Sequence, residues 1–521
     1  MPTATLVSPS RRLVPRSVRG PLVVAVGVLA LFCDLAIGGL HVAELTLAAG
    51  ISGAALLLAA ARPGAAIGAI MLYVPLQQTV LAWMYAKGVP TTLVRDLGYV
   101  KDVLVGGVCL AAFTNIKSRR VALRLDALDV LVLLFVAIAT VYLALPTLSP
   151  GSLGAQSFSV RIDAWRLDCL FLVLFLAARR TPLQPTSLRR IRNVVFFVAF
   201  VMFATAVWES VDKVAYNRFL VDTIHLPAYQ AQILHVPPPL NNNYIITSVI
   251  GGLRIVRVGG LLVDQIGLGF YMVMPFALAL ERISGSRSHR VTVLVAAASG
   301  VTIALTETRS AAIAACIAIA LGTWLAFRVG AEARLRLAAV SVVALLIAIP
   351  AASHTAFSSR FASAFAGSSN ADNQIHQQRS ESALKLVLHH PAGQGLGANP
   401  ATGLRNDTSN AVTSENSYLQ VGTELGVHSM IVFVLMYLVL LFTLRARSKI
   451  RDEAGGMAGG AWLAGAGLFV AGFFLHVWTS IPVSLTYWGL AGVALAGSPA
   501  AARAAHSHVQ SVARPRGLVR S

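Results

Sequence analysis

The sequence predicts an all-α polytopic membrane protein of about fourteen transmembrane helices (12–14). Three observations carry that prediction. Of 521 residues, 56% are apolar and only 12% are charged, so the chain is too apolar to stay dissolved as one globule. Many of its apolar runs are 17–22 residues long, enough to cross ~30 Å of hydrocarbon as helix. The formal net charge of +20 is distributed as the orientation of a membrane protein requires rather than as a patch for nucleic acid. These features exclude a soluble enzyme, a nucleic-acid binder and a disordered chain.

The apolar segments fall at about 21–40, 43–61, 64–84, 100–115, 127–145, 163–178, 193–209, 261–280, 291–306, 310–327, 335–352, 421–444, 457–477 and 481–497. Segments 291–306 and 310–327 are separated by three residues, so the spacing predicts a tight hairpin. Placing the N-terminus in the cytoplasm puts 28 basic and 6 acidic residues inside, a net of +22. It leaves 14 basic and 16 acidic residues outside, a net of −2. An even number of spans keeps this alternation, so both termini are expected in the cytoplasm of a bacterial cytoplasmic membrane protein. The Arg-rich start before Leu22 has no small-residue cleavage site, because Phe32 precedes Cys33, and it reads as a signal anchor. All four cysteines lie in predicted spans without a CxxC pair, so neither a disulfide framework nor a zinc site is expected.

The organisation is one transmembrane domain, 21–497, with a cytoplasmic tail at 1–20 and another at 498–521. Both tails are short and basic, suited to anionic lipids. Two outer segments are long: 210–260, and a large loop at 353–420 between spans eleven and twelve. Loops of such length are usually functional or disordered. In the second, Arg379 to His390 is predicted as an amphipathic helix with Leu384, Val387 and Leu388 on one face, ended by Pro391. A Gly-rich turn, Gly393 to Gly397, follows.

Several outer residues carry candidate chemistry. Arg254 and Arg257 precede Gly259-Gly260, then Asp264-Gln265. Arg309 begins span ten in Thr306-Glu307-Thr308-Arg309-Ser310, where a cation opposes the helix dipole by ~0.3–1 kcal/mol. It therefore needs a partner, either Glu307 or an anionic ligand. Together with Arg379 these arginines form a set that can hold a phosphate or pyrophosphate without a metal ion, through the planar fork of guanidinium donors. Glu415 is a candidate proton acceptor. The blander alternative is a group of ion pairs on loops.

The order of these motifs resembles the O-antigen ligase and polymerase family of membrane glycosyltransferases. The resemblance runs from Arg257 to about Leu440. It rests on Arg257-Val258-Gly259-Gly260 with Asp264-Gln265, on Thr306 to Ser310, on Arg379 with His390-Pro391 and Gly395-Leu396-Gly397, and on Asn416-Ser417-Tyr418-Leu419-Gln420 with Glu424-Leu425-Gly426. It implies a GT-C-like helical architecture and a reaction on the outer face that uses neither metal nor other cofactor. The donor would be a glycan on undecaprenyl pyrophosphate, and the acceptor a hydroxyl of a second glycan. The implied catalytic residues are Arg309, Arg379 and Glu415. The implied substrate-binding residues are Arg254, Arg257, Asn416, Tyr418 and Gln420. One departure stands out: ligases carry His where this chain has Glu415, which moves the expectation toward a polymerase or another glycan transferase. A flippase or exporter of lipid-linked oligosaccharide is the competing class. Transporters place ionisable residues near the bilayer midplane and show internal repeats, whereas the arginines here gather at the outer face and the two halves show no repeat. A structural membrane scaffold, the third reading, leaves Arg309 and the ordered motif series unexplained.

Overall fold

The computed structural model describes residues 50, 52–117, 125–144, 157–250, 253–284, 290–326, 371–398 and 414–496. The predicted spans at 21–40 and 335–352 lie outside the described residues, as do both tails. Of the span 43–61 only residues 50 and 52–61 are described, and these and the remaining predicted spans fall on helices. These are α1 (Ser52–Ala61), α2 (Pro63–Ala86), α3 (Thr91–Leu97) with α4 (Val100–Lys117), α5 (Ala127–Ala144), α6 (Phe158–Arg179), α7 (Pro185–Val211), then two short helices, α8 (Lys213–Arg218) and α9 (Leu226–Tyr229). After them come α10 (Gln265–Ser284), α11 (Arg290–Thr306), α12 (Arg309–Ala326), α13 (Ala371–His389), α14 (Ser417–Ser448), α15 (Glu453–Ala471) and α16 (Ile481–Leu495). Among the described residues, eight helices are long and apolar enough to cross a membrane, and α1, α11 and α16 are shorter apolar helices. The protein is a helical, multi-pass membrane protein.

Burial sorts the spans into core and periphery. In α10, 83% of the apolar window is buried, against 33% in α5. A helix apolar on every side belongs in the middle of a bundle, and α10 packs against α11, α12 and α15. Side chains such as Phe113, Leu134, Phe197 and Phe442 point outward as exposed apolar surface, the complement of lipid. Lipid tails are as apolar as leucine, so close packing of small residues does much of the work between helices. Gly467 of α15 shows this: a Cβ there would stand 2.4 Å from the Ala314 carbonyl oxygen of α12.

The structure adds detail to three segments. The first long loop contains an antiparallel hairpin, Ile246–Ile250 (β1) and Leu253–Arg257 (β2), with Ile246 opposite Arg257 and Val249 opposite Arg254. Short runs of Ile, Val and Leu suit a ribbon, and the pair is too short to read as a span. The helix of the large loop begins at Ala371 rather than Arg379, and its buried face is Ala383 and Val387, while Leu384 and Leu388 are exposed. The i, i+4 series Arg379, Ala383, Val387 thus shares the packed face. The hairpin expected before span ten is tighter than its spacing suggested, with only Glu307 and Thr308 between α11 and α12.

The end of the bundle opposite the long loops is laced by ion pairs. Arg179 bonds Asp126 and Asp129, and Glu453 meets Arg189, Arg192 and Arg282. These arginines belong to the set that predicts the cytoplasmic side.

The α12–α15 contact gives a direct test. Gly467→Leu places a branched side chain against helix backbone, and overpacking of this kind costs roughly 1–3 kcal/mol. The detergent-purified variant is expected to melt several degrees below the parent, and an unchanged melting midpoint contradicts the close approach.

Candidate active site

The candidate residues gather at the end of the bundle that carries both long loops. Arg309 is set by the turn between α11 and α12. Glu307 adopts a left-handed backbone (φ 50°), which reverses the chain in two residues. The Thr306 hydroxyl accepts the Thr308 N–H at 3.3 Å, and the Thr308 hydroxyl donates to the Gln265 carbonyl at 3.2 Å, fixing the turn to the start of α10. Gly269 makes room for this: its Cβ would fall 3.0 Å from both Ala311 Cβ and Thr306 Oγ1. Arg309 emerges half-buried in the first turn of α12.

The end of β2 docks on the same turn. The Val258 N–H donates to the Leu305 carbonyl at 3.3 Å, and Arg257 Nε donates to the Thr306 carbonyl at 3.4 Å. Arg257 and Arg309 therefore share one corner. The Gly259-Gly260 pair is held from behind by Glu209 of α7, whose Oε2 accepts both N–H groups at 3.0 and 2.8 Å. Sequence reasoning missed Glu209. Its only signal was a lone carboxylate near the end of an apolar helix. Arg254 lies in β2 opposite Val249.

Arg379 and Glu415 form the second half of the site. They are ion-paired, with Glu415 nearly buried and Arg379 half-exposed. What places Arg379 is a break in α14. Gly426 has non-helical angles (φ 84°, ψ 168°), and the segment after α13 fills the gap. Gln394 N–H donates to the Thr423 carbonyl at 2.7 Å and Gly395 N–H to the Glu424 carbonyl at 2.9 Å. In return the Val427 N–H reaches the Pro391 carbonyl at 2.9 Å. Gly393 and Gly426 must both be glycine here: each has positive φ, and their Cβ atoms would stand 2.4 Å from Gly426 N and 2.6 Å from Pro391 O respectively. Val387 of α13 packs on Gly422, so α13 lies against α14 with Arg379 toward Glu415. The Glu424 side chain hydrogen-bonds Asp168 of α6.

The residues after Glu415 face inward. Asn416 caps α14, accepting from Tyr418 N–H at 2.9 Å and Leu419 N–H at 3.0 Å, while its amide donates to the Phe473 carbonyl at 3.0 Å. Tyr418 is buried beside Phe473 and donates to the Phe469 carbonyl at 2.6 Å, and Gln420 is buried too. Ser417 donates to the Leu475 carbonyl at 2.9 Å and accepts the Val477 N–H at 2.8 Å. These contacts fix the loop between α15 and α16, and with it His476.

Asp264 links the two halves: its N would stand 3.0 Å from a Cβ on Gly259, two residues after Arg257, and its carboxylate feels the charge of both His476 and Arg257. Asp264 is open to a cavity by accessible surface, yet protein crowds it on the larger scale. That burial pushes its carboxyl above the usual carboxylate range, opposed by the Gly267 N–H, His476, the Ile266 N–H and Arg257. Burial lowers the His476 imidazole, opposed by Asp264. Sequence reasoning had noted Asp264 only as part of a motif and had passed over His476. Among the described residues no three His, Cys, Asp or Glu side chains form a group that could hold a metal ion.

The closure of the α14 break is testable. Gly426→Ala forces a Cβ into a left-handed position, at roughly 1–3 kcal/mol, and against the Pro391 carbonyl. The 391–396 segment is expected to release, and trypsin to cut faster after Lys385 while the spans stay intact. An unaltered cleavage rate contradicts the role of the break in docking α13.

No curated protein sequence matches the chain. Residues 294–434 match the family model described as O-Antigen ligase. The matched stretch runs from α11 into α14 and includes Arg309, Arg379, Glu415, Asn416, Tyr418 and Gln420. Arg254, Arg257 and Asp264 lie before it. Over that segment the chain is similar to the O-antigen ligase family, in agreement with the resemblance carried by the order of its motifs.

Proposed function

We propose that this protein is a bacterial cell-surface polysaccharide glycosyltransferase, a polymerase or ligase, that moves a glycan from undecaprenyl pyrophosphate to a hydroxyl of an acceptor glycan. The reaction takes place on the outer face of the cytoplasmic membrane, where both long loops lie, and needs no metal ion. The observation that supports this reading is the placement, at the same end of a helical bundle, of Arg257 and Arg309 at the α11–α12 turn and of Arg379 beside Glu415 at the start of α14, Arg309 and Arg379 lying inside the family-matched segment.

Charge develops on the pyrophosphate as its bond to the anomeric carbon breaks. Guanidinium groups fixed by backbone contacts stabilise that charge with little reorganisation, which is the larger part of such catalysis. Arg309 and Arg379 bear the phosphates, and Arg257 reinforces them. Arg254 completes the basic approach along β2. Asn416, Tyr418 and Gln420 act on substrate only through the loop and helix they hold. Glu415 is the point at which the sequence reading changes. A carboxylate already in contact with a guanidinium is a weaker proton acceptor, so Glu415 serves chiefly to hold Arg379 in place.

Arg309→Ala and Arg379→Ala are expected to abolish glycan transfer from a purified lipid-linked oligosaccharide, while expression and membrane insertion persist. Full transfer by both variants sinks the mechanism. On a gel, a ladder identifies a polymerase and a single shift of an added acceptor a ligase.

Glu415→Gln is expected to weaken donor binding and turnover by similar factors. Loss of turnover with donor binding intact would return Glu415 to the role of base.

Chelator is expected to leave the rate unchanged, and inhibition reversed by a divalent ion contradicts the metal-free reaction.

A further inference from the structure

Beside the arginine corner lies a chamber of about 510 Å³, walled by α2, the α3–α4 turn, α6, the segment after α9, Leu262–Asp264 and the start of α16. Its volume falls within the ~300–1,000 Å³ of small-molecule sites. None of the arginine pairs of the candidate site opens into it, but Asp264 does. We propose that this chamber is the acceptor-saccharide subsite and that it delivers the attacking hydroxyl to Asp264. The proposal rests on the glycosyl-transfer reading and adds to it where the second substrate sits.

The lining argues for a sugar rather than a phosphate or an acyl chain. Its cations are already engaged: Arg166 bonds Asp163 at 3.0 Å and also Asp102, Arg95 lies 4.0 Å from Asp96, and Lys101 donates to the Gly98 carbonyl at 2.7 Å. A phosphate entering the chamber meets charge that is largely balanced. A hydroxyl-rich ligand instead needs donors and acceptors side by side, and carboxamides (Gln78), carboxylates (Asp163, Asp264) and the Ser480 hydroxyl supply them. Tyr99, with Arg166 stacked 4.8 Å from its ring centroid, offers a flat apolar surface of the kind that covers a sugar ring. These polar groups alternate with apolar side chains such as Val94, Leu234 and Leu262, and a lipid tail lying along the wall would leave the polar groups without partners.

Asp264 stands where the chamber meets the arginine corner. An acceptor hydroxyl lying against it gives its proton to the carboxylate as the hydroxyl oxygen bonds to the anomeric carbon. The anomeric bond to the pyrophosphate oxygen breaks, and its electron pair leaves with the lipid pyrophosphate. The proton then passes from Asp264 to solvent.

The test uses the full chain in detergent on an array of defined neutral, amino-sugar and uronic-acid oligosaccharides, alongside transfer from a lipid-linked oligosaccharide. The parent is expected to bind at least one array class. Gln78→Leu and Arg95→Ala, with unchanged melting midpoints, are expected to weaken that binding by roughly tenfold each, the scale of one strong hydrogen bond. Asp264→Asn is expected to keep the binding and lose transfer. No binding by the parent, or equal binding by Gln78→Leu and Arg95→Ala, overturns the chamber assignment. Full transfer by Asp264→Asn overturns the delivery to that carboxylate. If the chamber variants lose array binding while Arg309→Ala and Arg379→Ala keep full transfer, the chamber stands and the arginine mechanism falls. If those two arginine variants lose transfer but the chamber variants bind as the parent does, the reverse holds.

Discussion

The exchange of backbone hydrogen bonds at Gly426 is the constraint on which the site depends. A helix broken at membrane depth leaves carbonyls and N–H groups that no water can satisfy, and each orphan costs several kcal/mol. Here Gln394 and Gly395 donate to the freed carbonyls of Thr423 and Glu424, and Pro391 accepts from Val427. The penalty for breaking α14 is thereby removed only when the loop segment is docked. This makes the docking obligatory: α13, and Arg379 on it, cannot leave without exposing the break. Two glycines with left-handed backbones are the local condition for it.

The second corner is built on the same logic with different parts. The α11–α12 turn spends an unfavourable left-handed Glu307 to reverse the chain in two residues, and close approach of α10 at Gly269 stiffens it. Arg257 then reaches the turn from outside, on a ribbon held by Glu209. Between the corners, the α15–α16 loop carries His476 up to Asp264, and Ser417 fixes that loop from the first turn of α14. The α11–α12 turn, the end of β2 and the α15–α16 loop are thus each positioned by hydrogen bonds from a neighbouring element.

Much of this was legible in the sequence because bilayer thickness imposes a length on apolar runs and because arginine in an outer position needs a reason. Helix boundaries at Ile481 and near His389 fall where the sequence puts them, whereas α7 begins at Pro185, ahead of the expected 193, and the pairing of Arg379 with Glu415 was within the constellation the residues suggested. The parts that were not legible are those that depend on partners distant in sequence. The exposed Leu384 and Leu388 outweighed Ala383 in a hydrophobicity pattern, although Ala383 is buried on the same face as Val387, which packs on Gly422. Glu209, 50 residues before the glycines it binds, had no local pattern to mark it. His476 fell inside the expected span 457–477, where no pattern marked it. The β-hairpin was hidden because five residues per strand carry too little periodicity to be seen beside spans of twenty.

The ion pair between Arg379 and Glu415 has a thermodynamic corollary. An anionic group that binds Arg379 arrives as a second claimant on a guanidinium already engaged, so its affinity and the strength of that pair are reciprocally linked. Arg379 is half-exposed and its partner nearly buried, which means the anion approaches from the open side and meets the full donor fork only by sharing it. On the glycosyl-transfer reading proposed above, a site arranged in this way would hold its leaving group firmly enough to favour departure from the sugar and loosely enough to give it up afterward. Such a shared arginine would suit turnover more than tight retention of a spent carrier.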